Sequence, residues 1–366
     1  MLAGRWQDFK VTVLSADAAQ SLAADWNHLN ASAIQSAGCN APELILPLLK
    51  HVGGAKLQTV CHGSDLLMAF PASLKRLFLK TWNTPLTTSG LPHLSSELSA
   101  SVLFAYINAQ TKPVLFNAIP SQGPFIETLK KQSSNFSIIQ TWQRAALEPT
   151  GSFDDWLQTN FDQKRRKEFK RLRNRLSEQG KMTTDILQQG QDPKPFVDDL
   201  VSIEARGWKG SRGTAIASNP KLKLALEEAC VNLHRAHKLR FWSLKLDGKA
   251  IASLFAIVEG DQAWLGKIAY DEAFAKYSPG VQIIIDCTET LFSEPQIKLI
   301  DSTAIPNHPM IDRIWRDRIE MVNVFVAPAS ISKFKFNTIV KLEQQRIHWR
   351  GIARDLYYRL RKQHRS

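Results

Sequence analysis

The chain has 366 residues, of which 44% are hydrophobic, and a formal net charge of +13. This length can bury more than one hydrophobic core, so we expect about two domains. No run of about 18 apolar residues occurs, which excludes an ordinary membrane-spanning helix. The first eight residues also lack the apolar core of a signal peptide. We therefore expect a soluble, cytoplasmic protein, with peripheral contact to a membrane as an alternative.

The positive charge is concentrated in two segments. Residues 163–181 hold nine Lys or Arg and two Glu, a net charge of +7, and residues 331–366 carry a net charge of +8. The spacing of Phe169, Leu172 and Leu176 predicts an amphipathic helix with a cationic outer face in the first segment. Each segment is either a solvated helix packed by its apolar side or a contact for tRNA or an anionic membrane surface.

The cysteines argue against a metal centre. Cys39, Cys61, Cys230 and Cys287 are widely separated, and no pair has Cys-x-x-Cys spacing. We therefore predict free thiols, no disulfide framework and no metal site.

Residues 1–150 mix helical and extended patterns. His62-Gly-Ser-Asp65 separates two apolar runs and predicts a hairpin. This hairpin is comparable to one predicted later in the chain, which suggests two similar halves. The other predictions for this part are helices over 17–30 and 42–51 and strand-like segments over 102–108, 114–118 and 136–142.

The clearest pattern lies between residues 239 and 326. Asp247-Gly248 joins two apolar runs and is a strong hairpin signal, because both turn residues must tolerate positive φ. Pro279-Gly280 opens an apolar segment whose spacing predicts a helix to residue 292. The remaining predictions here are strands over 262–270, 297–301 and 321–326 and a helix over 309–318.

This order of elements resembles the core of the GNAT superfamily of N-acetyltransferases. Four short motifs carry a more specific resemblance to the CelD-type acetyltransferase-like proteins of cellulose and exopolysaccharide synthesis, which are related to the Fem-type transferases. The motifs are Trp208-Lys-Gly-Ser-Arg-Gly-Thr-Ala215, Lys267-Ile-Ala-Tyr-Asp271, Tyr277-Ser-Pro-Gly280 and His308-Pro-Met-Ile-Asp312.

The resemblance implies an α/β fold with a mixed sheet and two GNAT-like halves, over residues 1–150 and 151–330, followed by a basic helix over 331–366. It also implies that an acyl-CoA, most simply acetyl-CoA, lies across the strand before the central helix. The usual signature, Gln/Arg-x-x-Gly-x-Gly/Ala, is absent. An aminoacyl-tRNA donor, which Fem-type relatives use, therefore stays open.

Donor binding is predicted at the start of the helix that follows Pro279. Unpaired backbone N–H groups at a helix N-terminus favour anions such as phosphates. A lysine in an apolar strand must reach solvent, a carboxylate or a ligand, so Lys267 is a further candidate for a donor phosphate or an acidic group of the acceptor. The other predicted donor-binding residues are Tyr277, Ser278, Gly280, Val281 and Gln282.

Acyl transfer also needs a proton acceptor, a proton donor and an acceptor pocket. Glu204 or Asp301 is the predicted proton acceptor or ammonium anchor, with a structural ion pair as the alternative for each. Tyr270 or Tyr277 could protonate the leaving thiolate. His308 and Asp312, at i and i+4, form either a base with its orienting carboxylate or a capping feature. The predicted acceptor-binding residues are Trp208, Lys209, Trp264 and Asp312.

The sequence thus favours an acyltransferase that acts on an amine or hydroxyl of a small metabolite or saccharide precursor. Two alternatives remain. The first is an aminoacyl-tRNA-dependent transferase of the Fem type, suggested by the two basic segments. The second is a non-catalytic partner of a polysaccharide-synthesis complex, suggested by the missing GNAT signature.

Overall fold

The computed structural model describes residues 8–207, 210 and 212–363, with side chains to residue 353. The strands are β1 Phe9–Leu14, β2 Lys56–His62, β3 Asp65–Leu74, β4 Leu79–Thr81, β5 His93–Leu94, β6 Val114–Pro120, β7 Asn135–Leu147, β8 Met182–Ile186, β9 Leu239–Leu246, β10 Lys249–Glu259, β11 Gln262–Tyr270, β12 Leu299–Asp301 and β13 Asp317–Ala327. The helices are α1 Ala16–Gln20, α2 Ala23–Ala31, α3 Pro42–His51, α4 Ser99–Asn108, α5 Pro124–Gln132, α6 Phe153–Asn160, α7 Gln163–Ser177, α8 Lys194–Arg206, α9 Pro220–Arg235, α10 Pro279–Phe292 and α11 Lys333–Gln363.

All strands belong to one mixed sheet, and its order repeats. Strands β1, β2, β3, β4 and β6 follow one another from one edge, and β8 to β12 follow one another from the other edge. In both series the last two strands are parallel and the others antiparallel. Helices α4 and α10 occupy the same place in the two series, and each follows a residue in the left-handed region, Leu98 and Ser278. The prediction of two similar halves is therefore confirmed.

The two halves exchange their final strands. Strand β13 lies beside β6 of the first half, and β7 lies beside β12 of the second half. β7 and β13 pair with each other antiparallel along all 11 residues of β13, from Asp317 to Ala327. The sheet is consequently continuous through the centre of the molecule. The predicted division at residues 150 and 330 stays a prediction.

Helices cover both faces of the sheet. On one face, α2 and α3 of the first half share a buried cluster with α8 and α9 of the second half. Phe255 joins this cluster, whereas its neighbours Leu254 and Ala256 pack with α10, α6 and α7. Because successive strand residues point to opposite faces, α10 lies on the other side of the sheet from α8. Helix α11 packs through Phe336 and Ile339 against Leu115 and Phe325.

Four local predictions need correction. The expected helix over 309–318 is only the short turn Ile311–Arg313, because β13 begins at Asp317 and pairs with β7. Residues 102–108 are helix α4 and not extended, since this apolar segment packs on the sheet face. The helix expected over 17–30 is broken into α1 and α2. The sequence also predicts a helix over 198–208, whereas the observed helix α8 begins at Lys194 and ends at Arg206. The hairpin predictions at 62–65 and 247–248 are confirmed.

The four cysteines are free, and Cys39, Cys230 and Cys287 are buried. Within the described residues, no helix is both long and apolar enough to cross a bilayer. In the same part of the chain, no three His, Cys, Asp or Glu residues lie close enough together to hold a metal ion.

A buried histidine joins two parts of the first half. The indole N–H of Trp26 donates to His93 Nδ1 at 2.7 Å, and both side chains are fully buried. Burial, together with a smaller effect of the nearby positive charge of Lys238, lowers the pKa of His93 to about 3. The ring is therefore neutral in the folded protein at neutral pH.

Acidification should destabilise the fold through His93. Its unfolded pKa is about 6.5, so below that value the unfolded state binds a proton that the folded state excludes, and stability is lost between about pH 6.5 and about pH 3. Replacing His93→Gln keeps an acceptor for Trp26. We expect the fall in unfolding free energy between about pH 7.5 and about pH 5 to be about 2 kcal/mol smaller in this variant. Denaturant titrations at both pH values measure it. The control His62→Gln, at an exposed site, should fall as the wild type does; an equal fall in the His93 variant would contradict the prediction.

Candidate functional site

In the second half, β11 and β12 separate and leave an opening. They pair only from Gln262 to Trp264, after which β11 continues to Tyr270 while the other strand ends at Asp301. Past this point the Thr303 hydroxyl donates to the carbonyl of Leu265 at 2.6 Å. Beyond Leu265 no strand pairs with this edge of β11 in the described residues, and the strand ends beside the start of α10, where Tyr270 lies next to Gly280. The carboxyl end of such a strand is where ligands of α/β sheets collect.

A β-bulge at Gly266 shapes this strand. The pairing of β11 with β10 skips Gly266, because Phe255 faces Lys267 and Ala256 faces Leu265. A Cβ at Gly266 would lie 2.0 Å from the Phe255 ring, so only glycine fits there. Bulges re-aim side chains and are common beside active sites. Lys267 is thereby turned toward α8 and away from α10, a placement that strict alternation does not give.

The equivalent opening in the first half is closed. After β4 and β6 separate, the Thr81 hydroxyl donates to Asn117 Oδ1 at 2.8 Å and accepts from the Asn117 backbone N–H at 3.0 Å. The loop that follows β4 crosses the gap, where the Gly90 N–H donates to the Asn117 carbonyl at 2.8 Å. A Cβ at Gly90 would lie 2.1 Å from Thr81 Oγ1. The gap is thus filled in the first half, whereas the described residues of the second half span the separation with the contact between Thr303 and Leu265.

The start of α10 offers fewer free donors than the sequence suggests. The N–H groups of Val281 and Gln282, predicted to bind donor phosphates, both donate to the Ser278 carbonyl, at 2.9 and 3.1 Å. This correction follows from the left-handed φ of 53° at Ser278, which turns its carbonyl into the first turn of the helix. Among the three predicted N–H donors, Gly280 is the one without such a bond in the described residues.

Aromatic and sulfur groups border this helix start. A Cβ at Gly280 would lie 2.9 Å from both Tyr270 Cδ1 and Met310 Sδ. Tyr270 is 38% exposed, whereas Tyr277 is mainly buried under the Lys276 ammonium, which lies 4.9 Å from its ring centroid. Tyr277 also lines a shallow cleft of 290 Å³ with two cations, Arg175 and Lys276. This cleft lies beside the start of α10.

Glu204 and Tyr270, two of the predicted catalytic residues, line one small cleft of 60 Å³ between α8 and the end of β11. The Glu204 side chain is 3% exposed; its Oε1 lies 3.4 Å from Lys267 Nζ, and its Oε2 accepts from the Ile216 N–H at 2.8 Å. Lys267 thus faces a carboxylate rather than the start of α10. Glu272 is exposed at the mouth of the same cleft. Trp208 and Lys209 lie outside the described residues.

Asp301 lies in a separate cavity where the halves meet. It forms a buried ion pair with Arg144 of β7, and its Oδ1 accepts from the Thr303 N–H at 2.8 Å. Burial raises the pKa of the Asp301 carboxyl, and the Arg144 guanidinium opposes that shift. The cavity has a volume of 460 Å³ and is also lined by Trp264 and Cys39, whose pKa burial raises to about 12.

His308 and Asp312 do not share a helical face, which corrects the i, i+4 expectation. His308 Nδ1 instead accepts from the N–H groups of Met310 and Ile311, at 3.4 and 3.3 Å. Pro306 and Pro309 and the left-handed φ of Asn307 keep this segment from forming a helix. The capping alternative describes His308, and its segment contacts the start of α10 through Met310.

The bulge at Gly266 and the ion pair of Arg144 could not be predicted from the sequence, although the residue types at these two positions are informative. A glycine inside a strand pattern suggests a bulge, and Gly266 is such a residue. An arginine inside an extended segment, Arg144, suggests a buried partner. Neither signal names the partner, because Phe255 and Asp301 are brought close only by strand pairing.

Breaking the Arg144–Asp301 pair should be costly. Arg144→Met leaves a buried carboxylate without its counter-charge, and we expect a loss of about 3–5 kcal/mol of unfolding free energy. Because removing both charges avoids that penalty, Arg144→Met combined with Asp301→Leu should recover most of the loss. Denaturant unfolding of both single variants and the double variant measures the coupling. Additive effects would show that the two charges do not depend on each other.

Comparisons with known proteins agree with this geometry. Residues 163–304 match the acetyltransferase (GNAT) domain family, a range that runs from α7 through β12 and contains the opening. The chain therefore carries a GNAT-type acetyltransferase domain. We found no curated protein whose sequence matches it.

Three solved structures share the fold over most of their length. The C-terminal domain of a putative lysylphosphatidylglycerol synthetase from Agrobacterium fabrum aligns with a TM-score of 0.56 at 10% identity, over 88% of this chain and 96% of that one. L-PGS from Bacillus licheniformis gives 0.53 at 11% identity, over 88% and 96%. FemX gives 0.54 at 9% identity, over 92% and 100%. At these identities the likeness extends to the fold alone.

Proposed function

We propose that this protein transfers an acyl group, most simply acetyl, from acyl-CoA to an amine or hydroxyl of a small metabolite or saccharide precursor. The observation that carries the proposal is the opening between β11 and β12, which lies inside the GNAT-type domain and has a filled counterpart in the first half. A donor arm that lies along β11 would meet the bulge at Gly266 and the start of α10.

The cleft beside α10 suits the phosphates of a CoA donor. Arg175 and Lys276 line it and supply two cations, and the N–H of Gly280 points from the helix start, where the dipole favours anions. Glu178 also lines this cleft and restricts the anion to the side of the two cations. The pantetheine arm would then run past Tyr270 toward Lys267 and Glu204.

The cleft between α8 and the end of β11 holds the residues that we assign to the reaction itself. The acceptor nitrogen or oxygen attacks the thioester carbonyl, and the carbon–sulfur bond breaks as the new bond forms. Glu204 takes the proton that the attacking atom loses, while Lys267, with its Nζ 3.4 Å from Glu204 Oε1, holds the carboxylate in place. Tyr270, at the exposed end of β11, gives a proton to the departing thiolate and regains it from solvent.

Donor binding gives the first test. Isothermal titration with acetyl-CoA should show a Kd of about micromolar order, and Gly280→Trp should weaken it at least about tenfold, because the indole must displace Tyr270 and Met310 and fill the opening. The matched control is Ala100→Trp, at the corresponding place of α4 in the first half, where the gap is filled.

The comparison with Ala100→Trp separates a loss of donor binding at α10 from a general effect of a tryptophan at a helix start. Ala100→Trp should bind acetyl-CoA as the wild type does, provided that both variants unfold at the wild-type temperature. Equal weakening by the two variants would argue against a donor at α10. A folded wild type that binds neither acetyl-CoA nor longer acyl-CoAs would contradict the CoA-dependent function itself.

The proposed proton acceptor, Glu204, gives a second test. It needs an acceptor substrate, which is found by measuring the release of the CoA thiol from acetyl-CoA in the presence of a panel of amines and alcohols. Glu204→Gln should lower kcat by about 10²–10⁴-fold, because the amide cannot take a proton. It can still accept from the Ile216 N–H, so KM for acyl-CoA should stay near the wild-type value. Glu272→Gln, at the mouth of the same cleft, should leave kcat within a factor of about three. Equal losses from the two substitutions would contradict a specific role for Glu204.

A second candidate is transfer from an aminoacyl-tRNA. The observation that favours it is the set of exposed cations on α7, which includes Lys164, Lys167 and Lys170, on the same helix that supplies Arg175 to the proposed donor cleft. A tRNA bound there would lose affinity steeply with salt, because counterions are released from the phosphates. Such binding, together with a lack of acyl-CoA binding, would favour this candidate.

A further inference from the structure

A second groove lined by charged residues is formed by residues 75–80 and 339–350, which are separate from the residues of the proposed donor site. The turn between β3 and β4 and the helix α11 enclose 440 Å³, with Phe78 and Ile339 at the base. The Lys112 ammonium fixes the turn by donating to the carbonyls of Arg76 and Lys75, at 3.0 and 3.5 Å. We call this space the α11 groove.

The α11 groove carries an excess of positive charge. Lys75, Arg76, Lys80, Arg346 and Arg350 line it, and Glu343 is its one carboxylate. Glu343 is already paired with Arg346. The other four cations make no side-chain ion pair or hydrogen bond within the part of the chain that the structure describes. The five cations and one carboxylate that line the groove therefore give it a net charge of +4.

Lys80 reports this imbalance most directly. Burial lowers the pKa of its ammonium, and the positive charges of Arg346, Lys75 and Arg350 lower it further, against the opposing effect of Glu343. Like charges held together beside a partly buried ammonium raise the free energy of the empty groove. An anion placed among them would relieve that repulsion.

Exposed apolar side chains border the same cations. Leu77 at the tip of the turn is 41% exposed, and on α11 Leu342 and Trp349 are 49% and 66% exposed. Leu342 and Trp349 are seven residues apart and so lie on one side of the helix, next to the side that carries Arg346 and Arg350. A nucleic acid backbone would contact the cations but would not bury the aliphatic side chains. A lipid interface contacts the cations and buries the apolar side chains.

We propose that the α11 groove docks this protein on a bilayer that contains anionic phospholipid, with a lipid phosphate among the cations and Leu77, Leu342 and Trp349 in the headgroup region. Each lysine or arginine near an anionic surface contributes attraction, which salt screens. The apolar side chains add contact that salt does not screen. The protein would thereby reach an acceptor or partner at the membrane surface.

The test is flotation of the full chain with vesicles of phosphatidylglycerol and phosphatidylcholine, beside vesicles of phosphatidylcholine alone. The wild type should bind the anionic vesicles and not the neutral ones. Arg76→Glu combined with Arg350→Glu should weaken that binding by about tenfold or more, since two attractive charges become repulsive. The matched control is Lys167→Glu with Lys170→Glu, which makes the same change of net charge at exposed sites of α7.

A second pair of variants separates lipid from simple charge attraction. Leu77→Ser with Trp349→Ser should leave the charge unchanged and still weaken vesicle binding, most clearly at raised salt. Leu224→Ser with Ile305→Ser removes two other exposed apolar side chains, 51% and 70% exposed, and should have no such effect.

Several outcomes would overturn the proposal. They are the absence of binding to anionic vesicles, equal losses from the α7 and α11 charge variants, and vesicle binding unaffected by Leu77→Ser with Trp349→Ser. Binding of tRNA that is lost in the Arg76 and Arg350 variant, without any vesicle binding, would assign the groove to RNA instead. Acyl-CoA titration of the Arg76 and Arg350 variant and of the Leu77 and Trp349 variant should match the wild type, so failure here is distinct from failure of the proposed acyl transfer.

Discussion

The pairing of β7 with β13 is the constraint on which the rest of the structure depends. Each strand comes from one half of the chain and closes the sheet of the other half, so neither half completes its own sheet. The ion pair between Arg144 and Asp301 lies at this junction. A buried pair penalises any arrangement that separates its charges. It therefore favours the one strand register that brings β7 beside β12.

The repeated architecture makes the difference between the halves informative. The same separation of two parallel strands occurs twice, after β4 and after β11. In the first half a loop and the hydrogen bonds of Asn117 fill it, and Gly90 packs too tightly for any side chain. In the second half a bulge and a single hydroxyl contact leave it open. Under the proposed function, the second half holds the donor at its strand and helix ends, and the first half supports the shared sheet.

The cations form two separate groups on the molecule. Arg175 of α7 and Lys276 before α10 line the cleft beside α10, whereas cations of α11, β4 and the β3–β4 turn line the α11 groove. The sequence shows the two basic segments but not the groups that lie beside α11. Lys75 and Arg76 belong to the β3–β4 turn and Lys80 to β4, more than 250 residues before α11. Only the packing of α11 on β6 and β13 brings these groups together.

Local patterns in the sequence determined much of the second half. Asp247-Gly248 allows the positive φ of a hairpin turn, and Pro279 begins α10, because these effects act within a few residues. The tertiary structure alone decided the exchange of β7 and β13, the bulge at Gly266 and the pairing of Glu204 with Lys267. Strand partners are chosen by backbone hydrogen bonds and side-chain packing between distant segments, and those interactions leave no fixed spacing in the chain.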